Sequence, residues 1–256
     1  MMVDIEVLQN SLIRREGAAD RIPLWVVTPE WAEGMNAAAD EVLNCQDVLE
    51  KGDGNLVAEI LRGNGTFTEW DHYPKGDVYD RETHSQFYYH AHPSQLRGGE
   101  HGHFHTFLRV DGIPKSIKPA PMSSDIDRPL GSDALTHVIG ISMDKAGRPL
   151  RLFTVNRWVT GESWYSAKDV SAMLELFSVT HAVPSWPTNR WIGAMIRLYR
   201  PQIEWLLRER DESVRLWQLG NIDSEAPVYE DRKLEITSQL DIDVEAQIKL
   251  VRAAAG

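Results

Sequence analysis

The segment YYHAHPSQLRGGEHGHFHTFLRV, residues 88–110, holds His90, His92, His101, His103 and His105, five of the chain's nine histidines within sixteen positions. Neutral imidazole is the commonest nitrogen ligand of Zn, Fe and Cu, and a catalytic metal site typically has about three protein ligands and an open position. A spacing of two residues places side chains on one face of a β-strand. His90 and His92 would share a face of one strand, and His101, His103 and His105 a face of the next. Between them PSQLRGGE is an eight-residue connection that Pro93, Gly98 and Gly99 make easy to turn. Paired as a hairpin, the strands would set His92 opposite His101 and His90 opposite His103, with Tyr88 and His105 as the next rung. Directly opposed residues point to the same side, with Cβ atoms about 4.5–5.5 Å apart. A slip of one residue would send the two histidine sets to opposite faces. The alternate positions, Phe87, Tyr89, Phe104, Thr106 and Leu108, read as core packing.

The expected metal ligands are therefore His90, His92, His101, His103 and His105, with His137 as a further ligand or supporting contact. Glu100, at the mouth of the hairpin, could orient an imidazole or act as a base. Arg109 could hold a substrate carboxylate through two hydrogen bonds, and Tyr88 could bond a bound ligand. A donor set of imidazoles without carboxylate or thiolate suits a transition metal ion, Fe(II) first and Cu or Zn as alternatives, rather than Mg or Ca. The expected chemistry is that of a metal-dependent oxygenase acting on a small molecule, with zinc hydrolysis second. Two other classes stand beside it: a metal-free histidine site for nucleotidyl or phosphoryl transfer centred on HGHFH, and a non-catalytic metal- or haem-binding protein. His72, His84 and His181 receive no role, and Asp71, Asp77 and Asp80 lack calcium-loop spacing.

Short motifs within this segment resemble those of known families. YHAHPS resembles the His-x-His-Pro of JAMM-type zinc isopeptidases, although His101 and Phe104 stand where their downstream Ser and Asp would be. HGHFHTF resembles the His-x-His-x-His of histidine-triad nucleotide hydrolases, with Gly102 in place of an apolar residue. The His-x-His strand is similar to the first cupin motif, whose glutamate would fall at Leu96 or Arg97. Each covers a dozen residues at most and none assigns a family. What they imply in common is histidine ligands on adjacent antiparallel strands.

The elements that must position the histidines can be read from punctuation and periodicity. Thr28-Pro29-Glu30 is a helix start, with a hydroxyl cap and proline in the first turn, and the helix runs to about Leu49 before KGDG. NLVAEILRGNG is a second, shorter helix. HSQFYYHAH, HGHFHTFLRV, LTHVIGISMD and PLRLFTVNRWVTGE are rich in aromatic and β-branched residues and bounded by Gly, Pro and Asp, which predicts four consecutive antiparallel strands. DHYPKGDVYDRETH, before them, reads as an acidic, turn-rich loop. The proline-rich stretch 116–133 is a loop expected to cover one end of the sheet. Helices return at Ser166, at TNRWIGAMIRLY and after Pro201, and KLEITSQLDI and VEAQIKLVRAA read as a last strand and helix. The expected fold class is α+β in a single domain over 1–256: a helical part (1–65), a mainly antiparallel sheet core (66–165), cupin-like or half-barrel, and a second helical part (166–256).

Composition narrows the partners. With 27 Lys and Arg against 38 Asp and Glu, the net charge is −11, which disfavours nucleic acid or an anionic membrane as a partner and leaves a small-molecule substrate. Cys45 is alone, so neither an intrachain disulfide nor a thiolate cage can form. No run of eighteen apolar residues occurs, and the first residues lack the pattern of a signal peptide, so the expected compartment is the cytoplasm.

Overall fold

A computed structural model describes residues 29–92, 99–122, 126, 128–222 and 226–255; the Thr28 cap lies outside them. Helix α1 (Pro29–Glu50) buries Met35, Ala38, Ala39, Val42, Cys45 and Leu49, a stripe at helical spacing. Helix α2 (Leu56–Leu61) starts at Asn55, whose side-chain oxygen accepts from the backbone of Val57 and Ala58.

Six strands follow: β1 (Tyr73–Tyr79), β2 (Ser85–His90), β3 (Gly102–Arg109), β4 (Leu135–Met143), β5 (Pro149–Val155) and β6 (Ile236–Asp241). They form one sheet in chain order, antiparallel throughout and not closed on itself, so the class is α+β and no barrel forms. Strand β1 overturns the reading of DHYPKGDVYDRETH as loop. It lies at the sheet's edge, where Pro74 and Gly76 do not interrupt a second ladder. The expected strand from Pro149 also ends early, at Val155, and Arg157–Thr160 is a helical turn (α3) capped by Asn156.

The remaining helices are α4 (Ala167–Met173), α5 (Trp186–Leu198), α6 (Arg200–Gly220) and α7 (Val244–Ala255). Ser166 caps α4 by accepting from the Asp169 backbone, as the sequence suggests. Helices from both ends of the chain pack on one face of the sheet. Val42, Trp191, Ile203 and Val251 share a single core with Phe87, Tyr89, Phe104, Ile139 and Leu152. His90, His103 and His105 occupy the other face.

The β1–β2 turn is tied to the chain before α5 through Asp80. Its carboxylate accepts from the backbone of Glu82 and Thr83 (2.9 and 3.1 Å) and from the backbone and hydroxyl of Thr180 (2.8 and 3.0 Å). Burial would raise this carboxyl, but the bonds from Thr180, Thr83 and Glu82 outweigh it and hold the group at about 2. A folded value below the unfolded one means stability that is present above about pH 4 and lost as pH falls toward 2. Asp80→Asn should cost about 1–2 kcal/mol at neutral pH and flatten that acid limb, as measured by urea unfolding at several pH values. An unchanged acid limb would exclude Asp80 as its source.

Candidate metal centre

The β2–β3 ladder is in the expected register where it is regular: His90 pairs with His103, Tyr88 with His105 and Tyr89 with Phe104. His90 and His103 therefore face the same side, away from the helices. His92 lies just beyond the end of β2 and curls back so that its Nε2 stands 3.2 Å from His90 Nε2. The donor nitrogens of His90, His92 and His103 all lie within 4.8 Å of one another. With metal–nitrogen bonds of about 2.0–2.1 Å, two ligands of one ion stand about 3.4 Å apart in a tetrahedron and about 2.9 Å apart at a right angle. The His90–His92 separation falls between these, so the triad could hold a metal ion.

What surrounds the triad fixes its orientation. Glu100 Oε1 is 2.6 Å from His103 Nδ1, and its other oxygen accepts from the Ser142 hydroxyl. A carboxylate on Nδ1 sets the tautomer and turns Nε2 toward a metal. His103 is fully buried and Glu100 nearly so, whereas His90 and His92 are half-buried and form the open side. Beneath, the Phe153 ring meets His103 edge-on at 5.2 Å and His105 at 5.6 Å. Gly140, opposite Phe153, makes that possible, because a Cβ there would lie 2.4 Å from the ring.

His105 stands one rung deeper, its Nδ1 3.0 Å from His137 Nε2, so the pair forms a layer behind the triad. His137 is pushed down to about 3 by burial, helped by the charges of Arg210 and His103, and is neutral. Tyr88 lies between His90, His105 and Phe107; burial and then the charge of Asp77 push its hydroxyl up, so it stays protonated.

Two expected site residues are not brought together with the triad. His101 precedes β3, and its Nδ1 is 2.7 Å from the Tyr89 hydroxyl while its ring stacks on Phe67 at 5.1 Å. The expected His92–His101 pairing is thus replaced. The local reason is Gly102: a Cβ there would lie 2.5 Å from the Tyr89 oxygen, so the missing side chain lets that hydroxyl reach past β3 to His101. Arg109 lies at the far end of β3, donating from Nε to Gln86 (2.7 Å), pairing with Asp133 (2.9 Å) and covering the Tyr79 ring. The 110–134 connection leaves from that same end. Its Ala120 bonds the Trp164 carbonyl and, with Met122, packs on the cluster of Trp164, Val214 and Trp217, away from His90.

Conversely, the structure adds residues that the sequence reading leaves aside. His72 stacks on Tyr88 with centroids 3.6 Å apart and stands 3.1 Å from Asp77. Trp70 meets His92 edge-on at 4.3 Å and holds a positive φ of 73°, a strained backbone for an aromatic residue. Only recognition of β1 as a strand would have brought this segment next to the histidines.

Glu100→Gln should weaken metal binding about 10–100-fold without unfolding the chain, because the amide replaces a charged partner of His103 with a neutral one. Competition with a chromophoric chelator measures this, and unaltered affinity would show that Glu100 does not support the site.

None of the described helices is long and apolar enough to cross a membrane. No curated protein and no solved structure matches the chain significantly. A family model does match, over residues 36–242, a span that includes both histidine strands and every residue placed around them. The chain belongs to the family described as Domain of unknown function (DUF6969).

Proposed function

We propose that this protein is a metal-dependent enzyme acting on a small molecule, with one transition metal ion held by His90, His92 and His103. The observation that carries this reading is the clustering of the three imidazoles together with the Glu100 carboxylate behind His103. Such an ion would supply Lewis acidity or, if it is Fe(II) or Cu, redox chemistry.

The chain's own groups favour oxygenase chemistry over hydrolysis. Glu100 is engaged through both oxygens with His103 and Ser142, so it positions a ligand instead of activating a water. The inner side is walled from solvent by the buried rings of Tyr88, Phe107 and Phe153, while the exposed Trp70 stands against His92 on the open side. The open side at His90 and His92 is where a substrate would approach.

Elemental analysis of protein purified without an affinity tag tests the reading. Stoichiometric iron or copper supports it, and stoichiometric zinc turns it toward hydrolysis. A protein that neither retains nor takes up any of these ions overturns it. The Glu100–His103 contact also fits a second reading, a metal-free histidine dyad for phosphoryl transfer. Turnover of a phosphate ester undiminished by a strong chelator would favour that one.

A further inference from the structure

On the opposite side of the fold from the histidine face, α1, α5 and the chain after α4 enclose a groove of about 210 Å³. Its floor is apolar, made by Met35, Leu174 and Ile196, and the Trp31 indole stands at its rim. Two arginines reach it. Arg200 is neutralised by Glu175 and Glu204 and covers the Trp31 ring at 5.2 Å. Arg197 differs: among the described residues its guanidinium has no hydrogen-bond or ion-pair partner, although the side chain is partly buried. Glu41, the acid whose field it feels, is bound to Arg190. A partly buried guanidinium without a counter-ion is costly unless something supplies one.

A second observation concerns Gly34. It lies inside α1 and lines the groove, and a Cβ built on it meets nothing within 4 Å. Glycine inside a helix costs about 0.5–1 kcal/mol relative to alanine. Here the protein's own packing does not require it. As a lining residue without a side chain, it adds nothing to fill the groove.

We propose that this groove is a binding site for a small apolar monocarboxylate, its carboxylate paired with Arg197 and its hydrocarbon or aromatic body on Trp31, Met35, Leu174 and Ile196. Planar guanidinium and carboxylate groups match in a two-bond geometry, which selects a carboxylate over other anions of similar size. The volume lies below the range of drug-sized ligand sites, which limits the body to a single ring or a short chain. This site is independent of the proposed metal centre.

The test uses the full chain, with phenylacetate as probe and benzylamine as a control of the same shape and opposite charge. Calorimetric titration and the Trp31 indole signal in a nitrogen-labelled NMR spectrum should both report phenylacetate binding, and benzylamine should bind at least tenfold more weakly. Arg197→Met keeps the apolar stem and should weaken phenylacetate at least tenfold. Gly34→Leu should fill the groove, leave the fold intact with an unchanged or raised melting temperature, and abolish binding. The proposal is overturned if phenylacetate leaves the Trp31 signal of the full chain unmoved, as it would if the chain's own first residues filled the groove. It is equally overturned if benzylamine binds as well, or if both variants bind phenylacetate as the wild type does.

Discussion

His103→Ala should lower affinity for Fe(II), Co(II) or Zn(II) by more than about 100-fold, since it removes one ligand of three together with the ligand that Glu100 orients. His90→Ala should act similarly, because His90 provides the cross-strand partner of His103. His105→Ala is the contrasting case. Its imidazole is paired with His137 behind the triad, so the loss should stay within about tenfold and reflect support rather than ligation. Titration with Co(II), read by its ligand-field absorption, resolves all three. Full occupancy in the His103 or His90 variant removes the proposed ligand set. Because His103 is fully buried, the folded state of its variant must be confirmed by a cooperative melt.

The second large effect lies behind the histidine layer. Arg210 is almost fully buried; it donates to the Tyr165 carbonyl (2.6 Å) and to Asp211 (2.7 Å) and covers the Trp164 ring at 4.1 Å. Its charge also acts on Glu162, which accepts from the His137 backbone (2.7 Å) and the Thr136 hydroxyl (3.0 Å). Burial raises the Glu162 carboxyl to about 7 despite the opposing pull of Arg210 and these donors. Arg210→Met should destabilise the fold by about 3–5 kcal/mol, the cost of removing one partner from a buried charge network. The sign of its pH dependence follows from Glu162. A folded value above the unfolded one contributes stability that is complete below about pH 4.5 and lost as pH rises through 7. Without Arg210 that value moves higher, so the variant's deficit should be constant up to about pH 6 and grow as pH rises through 7, where the wild-type carboxyl ionises and the variant's does not. Denaturant unfolding across this range measures it, and a pH-independent deficit would exclude the coupling to Glu162.

The central strands were legible from Phe87, Tyr89, Phe104, Ile139 and Ile141, whose period-two spacing marks the face that packs on the helices, although both faces of these strands are buried. Strand β1 was not legible, because Pro74, Gly76 and Asp77 carry the local signature of a turn. An edge strand tolerates them, but only the sheet decides which strand is at the edge.

The sequence by itself determined that histidines would converge. Period-two spacing and a short connection leave few registers, and the His90–His103 pair follows from them. It also determined where α4 and α6 begin, through Ser166 and Pro201. Which imidazoles form the site was decided only by tertiary structure. His101 has the correct parity, yet Gly102 leaves a gap that the Tyr89 hydroxyl fills, and that hydroxyl holds His101 beside Phe67. His92 lies beyond the ladder, where parity no longer applies, and contacts with His90 and Trp70 place it. Glu100 reads in sequence either as a group that orients an imidazole or as a solvated turn carboxylate, and burial against β4 brings it onto His103 and Ser142. Spacing along one strand is a local property fixed by backbone geometry. The contacts that choose among equally spaced histidines come from residues distant in the chain, and only packing brings those together.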